Sequence, residues 1–227
     1  MSESTSARGL SADATWCEAP ADYIVQTYFV LRLVIAGGAL LLPAVLLLWA
    51  AADPAVPMQN SISAFYYTRA RGVFVGAVVA IGVALLAYRG YTRGSNLLLN
   101  TAGIFAIVVA LVPTTDPSTG VADPGNIIHA VVALAFFIFA ALSIVFYGHA
   151  TVGDIPDPRS QRRYRAVYRV ITATVVVLPV IAFVLAWNVE HDATLFIVET
   201  AALYAFATFW LIKTYELSRS HSQLKII

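Results

Sequence analysis

The stretch QNSISAFYYTRARGVFVGAVVAIGVALLAYRG, residues 59–90, decides the fold because it joins a polar entrance to an apolar run of membrane length. After Arg71, the run up to residue 88 carries no charged side chain. A bilayer core about 30 Å thick requires about 20 mostly apolar residues per helix. The run is therefore predicted to cross a membrane, and the residues before it are predicted to lie at a membrane boundary.

The composition extends this prediction to the whole chain. Of its 227 residues, 59% are hydrophobic and 12% are charged, whereas soluble domains are about 45–50% apolar and about 25% charged. Five further runs resemble the first, which predicts an all-α, polytopic membrane helix bundle. Its six transmembrane helices are predicted over residues 27–50, 71–88, 96–113, 126–148, 168–188 and 194–212.

No internal repeat or linker divides this bundle. Residues 1–25 are predicted to be a loosely ordered cytoplasmic segment, residues 26–215 the six-helix domain, and residues 216–227 a cytoplasmic tail. The apolar core of a signal peptide has about 7–15 residues. The first apolar run is longer, so it is interpreted as an uncleaved span.

The distribution of Lys and Arg predicts the orientation, because cytoplasmic loops are enriched in these residues. The loops around residues 89–93 and 149–169 and the C-terminal tail carry most of them and lie on one side of a six-span chain. We therefore expect a multi-pass protein of the plasma (cytoplasmic) membrane with both termini in the cytoplasm. Residues 51–70, 114–125 and 189–193 are then expected outside.

Arg69 and Arg71 are the cations predicted on the outer side, and Arg71 stands at the mouth of helix 2. At 1.5 Å per residue, His129 and Glu199 are expected about 5 Å and about 8 Å inside the outer boundary. Ionisable groups within spans are usually paired or face a wet cavity. We therefore predict an outward-facing polar pocket. Its expected residues are Arg71, His129 and Glu199, with Asp116 at the rim and Ser63, Tyr66 and Tyr67 from the segment before helix 2.

Structural roles compete with this interpretation. Arg71 can reach headgroup phosphates along the surface, His129 can satisfy a backbone carbonyl, and Glu199 can form a salt bridge. Arg32, near the cytoplasmic end of helix 1, is expected to extend towards the membrane surface in the same way. Gly72 and Gly76 have the small-xxx-small spacing of closely packed membrane helices.

Several chemistries lack their sequence signals. The chain has no Gly-rich phosphate loop and no HExxH motif, and its single cysteine, Cys17, offers no pair for a metal or a disulfide. We predict no cofactor. The net charge of +1 gives no indication of nucleic acid, so membrane lipids are the expected partners, and a homo-oligomer is left open.

The segments NSISAFYYTRARGVFVGAVVAIGVALLAYRGY, NTAGIFAIVVALVPTTDP, GNIIHAVVALAFF and VETAALYAFATFWLIK together resemble an uncharacterised family of six-helix bacterial membrane proteins, a domain of unknown function. The resemblance implies the architecture and no specific activity. A fainter resemblance, carried by SAFYYT with His129 and Asp116, is to the alkaline ceramidase and adiponectin-receptor membrane hydrolases. That resemblance implies a zinc site, for which His129, Asp116 and His191 are the candidate ligands.

Three functional classes follow. The first binds a lipid headgroup or a small anionic ligand through Arg71, His129 and Glu199. The second is a membrane-embedded lipid hydrolase, with or without zinc, whose candidate catalytic residues are His129, Glu199, Asp116 and Ser63. The third is a transporter or an accessory subunit, for which the chain is small and lacks an evident inverted repeat. Whether the protein is an enzyme is left open by the sequence.

Overall fold

The computed structural model describes residues 12–114, 116, 124–188 and 193–220. Within these ranges the chain forms α-helices, two short 3₁₀ helices and no strand. The α-helices are α1 (Ala12–Ala52), α2 (Arg71–Ala87), α3 (Arg93–Leu111), α4 (Pro124–Tyr147), α5 (Pro158–Asn188) and α6 (Thr194–Ser220). The 3₁₀ helices are Ser63–Tyr67 and Val152–Asp154.

The six helices form a closed ring. Each helix packs against the next one along the chain, and α6 packs against α1. Consecutive helices run in opposite directions because the connections return the chain at alternating ends of the ring. One end, called the cap end here, holds the connection between α1 and α2. The opposite end holds the connections between α2 and α3 and between α4 and α5.

The protein is a multi-pass membrane protein by helix length and composition. Among the described residues, five helices are long and apolar enough to span a bilayer, and α2, an apolar helix of 17 residues, is slightly shorter. A helix of 17 residues lies at the lower limit for spanning, so the count of six spans stays a prediction. The helices α1, α5 and α6 extend beyond the predicted spans. In particular, the basic stretch after Asp157 is already helical.

A regular face of α1 supplies much of the core. Arg32, Ile35, Ala36, Ala39, Leu42 and Leu46 are all buried, and their spacing of three or four residues places them on one side of the helix. This finding corrects the expectation for Arg32. Its side chain is 0% exposed and faces the ring instead of extending to the membrane surface.

Close approach of α2 and α3 depends on one pair of glycines. A Cβ atom added to Gly82 would lie 2.8 Å from the Gly103 carbonyl oxygen, and one added to Gly103 would lie 2.7 Å from the Gly82 carbonyl oxygen. Gly72 and Gly76 have no atom within 4 Å of such a Cβ. The small-residue contact predicted at Gly72 and Gly76 is therefore wrong for both glycines.

Residues 53–70, here called the cap segment, fold into the cap end of the ring. Val56 and Phe65 are fully buried, and Ile62 is 4% exposed. The segment is tied to the start of α6 because the Phe196 N–H donates to the Asn60 carbonyl at 2.7 Å. The cap segment thus closes one end of the helix ring.

Candidate functional site

A cavity of about 90 Å³ lies below the cap segment. We call it the cap cavity. Three of its lining side chains are polar, namely Ser63, His129 and Glu199. The remaining lining residues are apolar and come from the cap segment and from α1, α2, α3, α4 and α6. They are Leu42, Ile62, Phe74, Val78, Ile81, Ala106, Val109, Ala133, Phe136, Phe137 and Leu203.

Glu199 connects the cavity to the cap segment. Its carboxylate Oε2 accepts a hydrogen bond from the Ile62 backbone N–H at 2.6 Å, across 137 residues of sequence. Glu199 therefore has a structural contact with the cap segment while it lines the cavity.

His129 lies on α4, lines the same cavity and is 6% exposed. Its Nδ1 lies 2.7 Å from the Val112 carbonyl oxygen. A carbonyl can only accept, so Nδ1 donates and carries the proton. In the neutral ring Nε2 is then the basic nitrogen. The backbone contact that the sequence allowed for His129 is present, and the imidazole lines the cavity as well.

Ser63 is the third polar side chain of the cap cavity and is 8% exposed. Its Oγ lies 3.3 Å from the Ser61 Oγ, and the Ser61 Oγ accepts from the Ala64 N–H at 3.1 Å. The two serines thus belong to the turn that opens the 3₁₀ helix. Of the two, Ser63 lines the cavity.

The structure leaves Arg71 outside the cavity lining. Its guanidinium stacks on the Tyr66 ring at 3.9 Å and donates to the Tyr66 hydroxyl. The side chain is exposed at the start of α2. Arg69 lies 4.0 Å from Asp53 in a surface ion pair. Of the three residues predicted to form the polar pocket, His129 and Glu199 therefore line the cavity, whereas Arg71 lies at the surface of the cap end.

The other candidates lie at the same end without lining the cap cavity. The Tyr67 hydroxyl donates to the Thr114 carbonyl at 2.6 Å, and Asp116 is half-buried after α3. His191 lies outside the described residues. In the part of the chain that the structure describes, no three His, Cys, Asp or Glu side chains are grouped to hold a metal ion.

A second polar cluster, not identified from the sequence, lies towards the opposite end of the ring. Lys213 is 4% exposed and Glu216 is 0% exposed, and the Lys213 Nζ lies 3.1 Å from the Glu216 Oε2. The same ammonium donates to the Gly148 carbonyl at 2.9 Å and to the Thr151 hydroxyl at 2.6 Å. The hydroxyls of Thr151 and Tyr168 both donate to Glu216. Both charged groups of this ion pair therefore form additional hydrogen bonds.

The second polar cluster also includes the buried Arg32 and three aromatic residues. We call the whole group the Arg32 cluster, and its members are Arg32, Tyr88, Tyr91, Trp210, Lys213 and Glu216. Burial raises the pKa of Tyr91, and the positive charge of Arg32 acts in the opposite direction, which indicates that the guanidinium lies nearby. Beside the cluster, burial and then the charge of Lys213 lower the pKa of His149. His149 is therefore neutral at pH 7.

Helical periodicity contained the signal for this cluster. Along α6, Phe206, Phe209, Trp210, Lys213, Glu216 and Leu217 are all buried, and their spacing places them on one helix face. The sequence interpretation ended the sixth span at residue 212 because hydropathy falls there. Continuing the periodic pattern for one more turn would have placed Lys213 and Glu216 inside.

Comparison with known proteins gives one result. A search of curated proteins and a search of solved structures find no match. Residues 35–213 match the model of a family described as "Protein of unknown function (DUF998)". The match covers well over half of the chain, from within α1 to Lys213, and confirms the family of unknown function indicated by the resemblance. The chain belongs to the DUF998 family.

Proposed function

We propose that the protein binds a membrane lipid, with the lipid chain in the apolar part of the cap cavity and its polar group near Ser63, His129 and Glu199. The observation that supports this proposal most directly is the composition of the cavity lining. Sites for small ligands are mostly apolar with a few convergent polar groups that orient the ligand. The cap cavity has this composition, and it lies in a membrane protein.

The polar groups favour a headgroup that offers hydrogen-bond donors. In its ionised form Glu199 only accepts hydrogen bonds, and the Nε2 of His129, whose Nδ1 carries the proton, also accepts. Hydroxyl or amine groups of a lipid match these acceptors. A lipid phosphate fits better at the surface, where the exposed Arg71 guanidinium is available beside Tyr66. In this proposal Arg71 holds the phosphate and the cavity holds the rest of the lipid.

The test is the lipid that the protein retains on purification. The full chain is purified in mild detergent, and native mass spectrometry with lipid extraction is applied to wild type and variants. Ala133→Phe fills the cavity without removing a polar group, and we expect its retained lipid to fall to background. Ala80→Leu, at an exposed position of α2, is the matched control and is expected to retain the lipid.

The polar variants refine the result. Glu199→Gln and His129→Ala are expected to retain less lipid than wild type, and Arg71→Gln is expected to lose lipids with a phosphate headgroup selectively. Equal lipid retention in wild type and Ala133→Phe would contradict the proposal.

A lipid hydrolase is the second candidate, favoured by the presence of Ser63, His129 and Glu199 around one cavity. A hydrogen-bonded serine and a basic imidazole are the parts of an activated nucleophile. The same measurement separates the two functions. A hydrolase would hold a cleaved lipid in wild type and the intact lipid in Ser63→Ala, whereas a binding protein would hold the same intact lipid in both.

A further inference from the structure

The Arg32 guanidinium is buried without a counter-ion. The side chain is 0% exposed, no carboxylate pairs with it among the described residues, and the neighbouring Tyr88 hydroxyl supplies no charge. A buried charge is costly unless it is paired and hydrogen-bonded. Lys213 and Glu216 satisfy each other in the same cluster and do not relieve this cost.

The charges of the cluster do not cancel. Arg32 and Lys213 contribute two positive charges, and Glu216 contributes one negative charge. His149, beside the cluster, is neutral at pH 7 for the reasons given above. Among the buried residues of the cluster, the ion pair is Lys213–Glu216, and the exposed Asp154 carboxylate acts on Tyr91 from outside it. The buried cluster therefore carries an excess of one positive charge.

Its other unpaired atoms also favour an acceptor. The Trp210 Nε1 and the Tyr91 hydroxyl are buried without a hydrogen-bond partner in the described part of the chain. An indole nitrogen is a donor only, and a guanidinium has five donors and no acceptor. Both Trp210 and Tyr91 line a cavity of about 30 Å³ together with Tyr88 and Lys213. Two unpaired donors thus line this space, and the charge of Arg32 acts on two of its lining residues, Tyr88 and Tyr91.

We propose that the Arg32 cluster binds one small monovalent anion of about the size of chloride in this cavity. Such an ion cancels the excess charge and accepts hydrogen bonds from the Trp210 Nε1 and the Tyr91 hydroxyl. The volume suits it, because about 10–15 Å³ on this scale holds one water molecule. A space of about 30 Å³ therefore holds an ion somewhat larger than water. This site is separate from the cap cavity and from any lipid bound there.

Chloride is the probe for this proposal. The full-length protein in mild detergent is heated at increasing chloride concentration, with gluconate replacing chloride at constant ionic strength, and unfolding is followed by tryptophan fluorescence. A ligand that binds only the folded state raises the unfolding temperature in a concentration-dependent way. We expect a saturable rise with chloride for wild type and no rise for Arg32→Gln.

Two variants make the result specific. Arg69→Gln removes an exposed arginine at the cap end and is expected to keep the full chloride response. Trp210→Phe keeps an aromatic ring and removes one donor. A hydrogen bond to a charged group contributes about 1.5–3 kcal/mol, so the chloride concentration for half-maximal stabilisation is expected to rise at least about tenfold. This variant tests the site even if Arg32→Gln does not fold.

The stability order without chloride separates binding from a purely structural role. In gluconate, Arg32→Gln is expected to be at least as stable as wild type because an unpaired buried charge has been removed. In saturating chloride, wild type is expected to be the more stable. The proposal is overturned if wild type responds equally to chloride and gluconate, if Arg32→Gln keeps the chloride response, or if sulfate stabilises wild type as chloride does.

Discussion

At the scale of single residues, Lys213 and Glu216 are the clearest case of mutual dependence. Both are buried one turn apart on α6, and the carboxylate also accepts from Thr151 and Tyr168. Burying an ion pair costs much of the energy that its attraction returns. Removing one partner is far more harmful than removing both, because the remaining charge loses its counter-ion.

A double-mutant cycle checks this dependence. Glu216→Leu is expected to destabilise the protein by about 3–5 kcal/mol because Lys213 is left buried and unpaired. The double variant Lys213→Met with Glu216→Leu is expected to recover most of that loss. Lys213→Met alone completes the cycle, and unfolding by SDS in mixed micelles, followed by circular dichroism, measures all three values. Additive losses would show that the two side chains act independently.

At the scale of helices, the contact between α2 and α3 rests on Gly82 and Gly103 facing each other. The backbone of each occupies the place where the other's side chain would project. Gly76, two turns earlier on α2, faces open space. Gly76 and Gly82 of the same helix therefore differ in their packing, because only Gly82 is in close contact with α3. Hydropathy and residue spacing do not distinguish the two.

Alanine substitutions are expected to separate the two glycines. Gly82→Ala forces the Gly103 carbonyl or Ile107 to move, and overpacking of this kind costs about 1–3 kcal/mol. Gly76→Ala meets no atom and gains helix propensity, so it is expected to be neutral or stabilising by up to about 1 kcal/mol. The unfolding midpoint in mixed micelles compares them. Equal effects of the two changes would argue against close contact at Gly82.

At the scale of the whole molecule, the ring places the cap end and the Arg32 cluster towards opposite membrane surfaces. The basic loops predict that the cap end faces outward. In a Cys17→Ala background, Met58→Cys in the cap segment and Arg159→Cys at the start of α5 both provide exposed positions. A membrane-impermeant maleimide is expected to label Met58→Cys in intact cells and Arg159→Cys only after permeabilisation. The reverse pattern would invert the predicted orientation.

Hydropathy was sufficient to predict the helical fold, since every predicted span lies largely within one of the six helices. Part of the cap cavity could also be predicted from the sequence, because the positions of His129 and Glu199 along their helices place them at a similar depth in the membrane. Arg71 is different, because the rotation of the first turn of α2 and the nearby Tyr66 ring decide where its side chain goes. Predicting the Arg32 cluster requires knowledge that α1 packs against α6. The number of charged residues in the sequence does not provide this information.

The hydrogen bond between Ile62 and Glu199 has a consequence for biogenesis. It joins a residue made early to one made 137 residues later, and α6 also closes the ring against α1. As the chain leaves the ribosome, the first five helices can enter the bilayer without either polar site being complete. Both the cap cavity and the Arg32 cluster require α6, so a nascent chain exposes unsatisfied polar groups until α6 has been made.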